Sequence, residues 1–102
     1  ERTYRQNLKK YLGIIVTTFP TSAVRINKPR KGVIISWIDP NGPMGEAGFE
    51  ARDIILEANG HSVFKQDDLK DVLRTLDKRH YIVFLAIDHR THRTGYVQVR
   101  IK

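Results

Sequence analysis

The side chains that could support catalysis or bind a metal ion are few and scattered in this sequence. Four histidines are the usual acid–base candidates, because an imidazole changes its charge near neutral pH: His61, His80, His89 and His92. His89 and His92 have a metal-ligand spacing, but we expect no third ligand to complete a site with these two histidines. No nucleophile motif surrounds any serine, and no glycine-rich phosphate loop is present. The sequence therefore argues against an enzyme, and it predicts no metal ion and no cofactor.

The charge of the chain is strongly positive, which raises polyanions as possible partners. The net charge is +7 and the isoelectric point is about 10.0, so nucleic acid, anionic lipid and acidic peptides all deserve consideration. Trp37 and the tyrosines could stack on bases, but the aromatic residues fall mostly within apolar segments rather than between lysines and arginines. We therefore expect no nucleic acid partner and keep polyanion binding as the less favoured alternative.

The length and composition of the chain are typical of one folded domain. It has 102 residues, of which 40% are hydrophobic, enough to bury a core. It has no cysteine and begins at Glu1 without methionine, so we expect a piece excised from a longer protein, with no indication of compartment. The longest apolar run, Tyr81–Ile87, is too short to span a bilayer. Residues 1–10 are polar and basic and are interpreted as a lead-in or linker, with the domain at 11–102.

Hydrophobic periodicity predicts the elements of this domain. Segments rich in β-branched residues or alternating in polarity predict strands at 11–19, 33–38, 53–58, 81–87 and in the tail from 97 to 101. Short helical turns are expected at 21–26 and 44–48. Residues 66–77 predict a longer helix, because Leu69, Val72, Leu73 and Leu76 form one apolar face. The fold class is thus mainly β with two helices, a small β-barrel or sandwich of five or six strands.

Four motifs, taken in order, resemble the PDZ domain family. Tyr11-Leu12-Gly13-Ile14 resembles its carboxylate-binding loop, and residues 38–49 resemble its stretch of prolines followed by Ala-Gly. The Asp-x-Ile-x-x-x-Asn-Gly pattern recurs at 53–60, and the helix at 66–76 follows where the family has its groove helix. Because the loop comes first and a strand comes last, the order resembles the permuted PDZ domains of bacterial and organellar proteins, above all HtrA-type serine proteases. The resemblance covers roughly residues 10–102.

The resemblance implies a binding mechanism in which an extended peptide adds as a strand to a free sheet edge. The carboxylate loop, near the N-terminus, would offer the backbone N–H groups of Leu12, Gly13 and Ile14 to a terminal carboxylate. Leu12, Ile14 and Val16 would line one wall of an apolar pocket, and the helix would supply the other wall. The implied peptide-binding residues are Tyr11, Leu12, Gly13, Ile14, Ile15, Val16, Leu69, Val72 and Leu73.

Some details of this site stay open at the level of sequence. Ile15, although it is one of the implied peptide-binding residues, is expected to pack in the core, as is Leu76. A basic residue beside the carboxylate is expected from among Arg5, Lys9 and Lys10. If Ile14 lines the pocket, Ile14→Arg should abolish peptide capture while the domain stays folded.

The function implied by the resemblance is capture of hydrophobic C-terminal tails of unfolded or partner proteins, without catalysis. The domain would be a regulatory or substrate-recruiting part of an HtrA-type protease in a periplasmic or organellar compartment. The alternative is a PDZ domain of a secretion or membrane-protease system. In either case, the parent protein is expected to be associated with a membrane or oligomeric.

Two positions depart from the family pattern. Arg52 stands where the family usually has glycine, and a positive φ there would cost arginine about 1 kcal/mol. Lys65 is the expected N-cap of the long helix, and its side chain cannot accept a backbone hydrogen bond. Both departures bear on stability rather than on the proposed groove.

Overall fold

The computed structural model describes residues 8–18, 31–76 and 81–101, which contain six strands and three short helices. The elements in chain order are α1 (Leu8–Tyr11), β1 (Ile14–Thr18), β2 (Val33–Ile38), α2 (Pro43–Glu46), β3 (Ile54–Ala58), β4 (His61–Ser62), α3 (Gln66–Arg74), β5 (Tyr81–Ile87) and β6 (Thr94–Arg100). This architecture confirms the predicted fold class and adds the short helix α1. Within the described ranges, no helix is long and apolar enough to cross a membrane.

The strands form one antiparallel sheet in the order β1-β2-β3-β5-β6, with β4 paired to β3. In the described part of the chain, β1 and β6 therefore lie at the two ends of the sheet. Asn59 and Gly60 both have positive φ, 51° and 81°, as the tight hairpin predicted from their sequence requires. The hairpin joins β3 to β4.

The β1–β2 pair contains a bulge that changes which side chains face the core. Ile15 is paired with Trp37, whereas Val16 is paired with Ile35, so Ser36 is the extra residue on β2. The Ser36 hydroxyl donates a hydrogen bond of 3.0 Å to the Ile15 carbonyl. A regular alternation would put Trp37 on the buried face with Val33 and Ile35, but the bulge turns it to the exposed face.

The start of the first predicted strand is a helical turn instead. The carbonyl of Leu8 accepts hydrogen bonds from the N–H groups of Leu12 (2.8 Å) and Gly13 (3.0 Å). These bonds close a turn over residues 11–13, so β1 begins only at Ile14. Gly13 then reverses the chain with a φ of 75°, a conformation that glycine adopts without strain. Leu8 is 5% exposed and belongs to the core, although it lies in the segment interpreted as a lead-in. The helical turn expected at 21–26 lies outside the described residues.

Helix α3 begins where the sequence predicts and buries the predicted apolar face. Leu69, Val72 and Leu73 are all buried. The helix ends at Arg74, earlier than expected, where the Thr75 N–H and hydroxyl both donate to the Val72 carbonyl. At its start, the Asp68 carboxylate accepts hydrogen bonds from the N–H groups of Phe64 and Lys65. Asp68 therefore supplies half of a capping box, and the Lys65 side chain is not needed as an acceptor.

Arg52 has a φ of 83°, which confirms that a glycine would suit this position. We expect Arg52→Gly to raise the free energy of unfolding by about 0.5–1 kcal/mol. The backbone strain that glycine relieves at this positive φ is larger than the entropy cost of ordering a glycine on folding. Urea denaturation measures the change. Arg52→Ala keeps a Cβ in the strained conformation and should give no such gain, and an equal gain for both variants would show that the arginine side chain, not its φ, is unfavourable.

Candidate functional site

The edge strand β1 and the helix α3 form the two sides of the predicted groove. In the described ranges, β1 pairs only with β2, and α3 packs beside β1. Leu12, Ile14 and Val16 from the loop and strand belong to the same apolar cluster as the buried face of α3. The structure thus brings together the two walls that the sequence predicts, with an unpaired strand edge between them.

The nine predicted site residues do not all have the same surroundings. Six of them are buried in the core between β1 and α3: Leu12, Ile14, Val16, Leu69, Val72 and Leu73. Gly13 is buried in the turn and Tyr11 is half-buried against the core. Ile15 is 41% exposed on the other face of β1, so the expectation that it packs in the core is wrong. Leu76, by contrast, is partly buried against the core, as expected.

The loop before β1 is held firmly to the segment that leads into α2. The Gly13 carbonyl accepts a hydrogen bond of 2.8 Å from Asp39 N–H, and the Leu12 carbonyl accepts one of 3.2 Å from Met44 N–H. A Cβ added at Gly13 would lie 3.3 Å from the Cα of Gly42. These contacts fix the direction in which the loop presents its backbone. The N–H groups of Leu12 and Gly13 already donate to Leu8, so an anion here would share or replace that carbonyl.

The family assignment is decided by a comparison with protein-family models. A model described as PDZ domain matches residues 34–85, just over half of the chain. The chain belongs to the PDZ domain family. The matched segment runs from β2 through most of β5 and includes α3, one of the two walls of the groove.

Solved structures with the same fold include PDZ domains of HtrA proteins. The HtrA3 PDZ domain bound to a phage-derived ligand (FGRWV) has a TM-score of 0.71 and 20% identity, over 89% of this chain and 83% of that chain. The HtrA-type protease AlgW with a decapeptide has a TM-score of 0.66 and 16% identity, over 88% of this chain. The PDZ domain described here spans 28% of that protease chain. No curated protein matches the sequence significantly.

Two lysines of α1 lie near the carboxylate loop of this PDZ domain. The Lys9 ammonium lies 5.1 Å from the ring centroid of Trp37, and the Lys10 ammonium lies 5.6 Å from that of Tyr11. Both geometries are within the range of cation–π interactions. Arg5 lies outside the described residues. Assistance to a carboxylate by one of the three basic residues stays a prediction.

Trp37 is a residue of the site region that the sequence interpretation did not select. It is 41% exposed and lies directly opposite Ile15 on the outer face of the β1–β2 pair. The sequence carries no clear signal for this position, because regular alternation would bury the indole and only the bulge at Ser36 exposes it.

A polar cluster lies at the β5–β6 hairpin, away from β1 and the groove. Ligand atoms of Asp53, Asp88 and His89 all lie within 4.8 Å of one another, a set that could hold a metal ion. Both oxygens of Asp53 already accept hydrogen bonds, however: Oδ1 from His89 N–H (3.0 Å) and Nδ1 (2.7 Å), and Oδ2 from Glu50 N–H (2.9 Å). These contacts give Asp53 a structural role in joining the hairpin to the loop before β3.

An open cavity of about 380 Å³ adjoins this cluster. Its apolar walls come from the segment that follows α2 and from β5 and β6, and they include Phe49, Ala86 and Val97. The residues that line it include none of the nine predicted site residues. The cavity and the groove are therefore separate features of the described surface.

Proposed function

We propose that this PDZ domain binds the C-terminal ends of other polypeptides by accepting them as an additional strand on β1. The observation that carries the proposal is the unpaired edge of β1 beside α3. An edge strand presents a row of backbone donors and acceptors, and a peptide that pairs with it gains main-chain hydrogen bonds. Peptide binding in general is supported by the HtrA3 PDZ domain, whose structure holds a phage-derived ligand (FGRWV).

The apolar walls of the groove indicate which type of last peptide residue the domain should bind. If the last peptide residue pairs with Ile14, its side chain points to the same face as Ile14 and Val16, because directly opposite residues share a face. That face is closed by Leu69, Val72 and Leu73 of α3. A hydrophobic last residue would therefore be favoured, with its carboxylate near the turn at Gly13.

The wider role that we propose is recruitment or regulation within a larger protein of the HtrA type. Its support is the likeness in fold to the HtrA3 PDZ domain and to part of the AlgW protease. The domain itself acts by binding, and catalysis would belong to another part of such a protein.

A direct test compares a hydrophobic-ended peptide with its C-terminal amide. The acid should bind about 10- to 100-fold more tightly, because hydrogen bonds to a charged group contribute about 1.5–3 kcal/mol. Isothermal titration calorimetry or fluorescence anisotropy of a labelled peptide measures both affinities. Equal affinities would exclude recognition of a free terminus.

A salt titration tests whether the positive charge of the domain is responsible for its affinity for the peptide. Raising the salt from about 0.05 to 0.5 M reduces the Debye length to a few ångström and weakens exposed charge contacts. The affinity for the hydrophobic-ended acid should change little, since the groove is apolar. An affinity that disappears with salt, together with tight binding of random oligonucleotides, would indicate a polyanion-binding domain instead.

A further inference from the structure

In the part of the chain that the structure describes, the last strand, β6, has a free edge of its own. It pairs with β5 over all 7 of its residues without a register shift, and it ends the sheet on the side opposite β1. Natural sheets usually protect such an edge with a bulge, a proline or a lysine. β6 contains none of these, and its only charged residue is Arg100 at its end. The edge is therefore open to pairing with a further strand.

The hydrogen bonds of β5 show which backbone groups of β6 point outward. The N–H and C=O of Val83 both bond to Asn59, on the β3 side of β5. The bonding direction alternates along an antiparallel strand, so the residues on either side of Val83 bond to β6, where their partners are Val99 and Val97. The backbone groups that remain for an added strand belong to the alternate residues Thr94, Tyr96, Gln98 and Arg100.

The open cavity of about 380 Å³ lies against this strand. Gly95 and Val97 of β6 line it, together with Phe49 from the segment that follows α2. Val97 packs against the core, so the cavity is on the inner face of the sheet. A strand added to the edge would point every second side chain to this face. β6 and the segment after α2 thus form the two sides of a second groove.

Gly95 is the residue that leaves this groove open. A Cβ added at Gly95 would meet no other atom within 4 Å, and its φ lies outside the left-handed region, so neither space nor backbone conformation requires glycine here. Glycine weakens the interior of a strand, where it often marks a bulge or the close approach of a ligand or another backbone. The regular pairing of β5 with β6 excludes a bulge and favours the approach of a partner.

Positive charge flanks the free edge of β6. Arg93 lines the cavity just before the strand, and Arg100 ends the strand. Among the described residues, neither guanidinium takes part in an ion pair. Asp88 also lines the cavity, but its carboxylate accepts a hydrogen bond from the Arg90 N–H. Since no acidic residue occurs at 93–101, a strand added along β6 would meet an unpaired cation at each end.

We infer that the β6 edge and the adjoining cavity form a second binding site, which takes an extended acidic segment of another polypeptide. The segment would pair with β6, place one large apolar side chain in the cavity and bring its carboxylates near Arg93 and Arg100. A second copy of this chain is a poorer partner, because each copy has a net charge of +7 and two paired β6 strands would bring only positive charges together. The site uses no terminal carboxylate, so it goes beyond the proposed function and does not depend on it.

The test uses the peptide Thr-Glu-Thr-Leu-Thr-Glu-Thr, acetylated and amidated so that it offers no terminal carboxylate to the groove at β1. In ¹⁵N NMR spectra, it should shift the resonances of Phe49 and of residues 93–100 and leave those of β1 in place. A peptide with lysine in place of both glutamates should bind about fivefold more weakly at low salt, because charge pairs at a surface contribute modestly. A saturating amount of a hydrophobic-ended acid should leave both affinities unchanged.

Two variants test the cavity and the charge separately. Gly95→Leu fills the cavity from within the strand, so it should weaken the glutamate peptide about tenfold or more. The sheet should be retained, since the position has space for a side chain and glycine is unfavourable in a strand. Arg93→Glu should weaken the same peptide about fivefold. Its matched control is Lys70→Glu, which makes the same change in net charge on α3, beside β1, and should alter the affinity by less than about twofold.

Four results would contradict this second site. The first is a peptide that shifts no resonance of β6 at millimolar concentration, or that shifts those of β1 and α3 instead. The second is equal affinity for the glutamate and lysine peptides, and the third is a folded Gly95→Leu that binds as the wild type does. The fourth is a change of the β6 resonances with protein concentration alone, which would make a second copy the partner. Failure of the hydrophobic-ended acid to bind β1 would contradict only the proposed function.

Discussion

Replacing Ile14 with Arg should unfold the domain rather than only block peptide capture. The Ile14 side chain is 0% exposed and belongs to the core cluster. A guanidinium at this position would therefore be buried among apolar side chains, which is costly for a charged group. We expect a loss of more than about 4 kcal/mol in the free energy of unfolding, a large part of the stability of a typical domain. This prediction from the burial of Ile14 differs from the one drawn from the sequence, in which the variant stays folded.

Chemical denaturation followed by circular dichroism measures this loss, and the neighbouring residue offers a matched control. Ile15→Arg introduces the same side chain one position along the same strand, but Ile15 is exposed on the outer face. Its effect on the free energy of unfolding should be within about 1 kcal/mol. If Ile14→Arg were folded with a stability close to that of Ile15→Arg, the groove would be open to solvent at Ile14.

The sequence predicts most of the strands because their patterns are local. β2 and β5 have the predicted bounds, and the hairpin at Asn59 and Gly60 follows from residues that tolerate a positive φ. The apolar face of α3 was predicted from spacing alone, and its three central residues are buried as expected. Local preference and tertiary environment agree in these elements, so the local pattern is sufficient.

Other features depend on partners that are distant along the chain. The apolar run at 11–19 reads as one strand, but hydrogen bonds to Leu8 turn its first residues into the end of α1. The bulge at Ser36 depends on the register between β1 and β2, which no single strand specifies. The apolar pattern therefore locates the groove, whereas the orientation of Ile15 and Trp37 appears only when the strands are paired.

The contacts of Asp53, the acid at the start of the family's Asp-x-Ile pattern, also depend on residues that are distant along the chain. Asp53 is 6% exposed and is the buried charged residue of the described core. The sequence places Asp53 in a strand motif and His89 in a pair of histidines with metal-ligand spacing. The structure instead joins these residues, which are 36 positions apart, with a contact of 2.7 Å between Asp53 Oδ1 and His89 Nδ1.

Asp53→Ala should lower the free energy of unfolding by about 3 kcal/mol. The substitution leaves the N–H groups of Glu50 and His89 without their acceptor, and hydrogen bonds to a charged group contribute about 1.5–3 kcal/mol each while partly buried donors are costly to leave unpaired. It also frees the His89 ring, which connects the β5–β6 hairpin to the loop before β3. Hydrogen exchange should therefore show the largest loss of protection around 49–53 and 88–93.

Two further variants separate the role of this carboxylate from a general effect of removing an acid. Asp67→Ala removes an exposed carboxylate from the first turn of α3 and should cost less than about 1 kcal/mol. His89→Ala removes the ring contact but keeps the backbone hydrogen bond of residue 89, so its effect should lie between those of the two aspartate variants.

Because Asp53 lies away from the groove, the folded fraction of Asp53→Ala should bind the hydrophobic-ended acid with wild-type affinity. If Asp53→Ala were no less stable than Asp67→Ala, the hydrogen bonds to Asp53 would not be what joins the hairpin to the sheet.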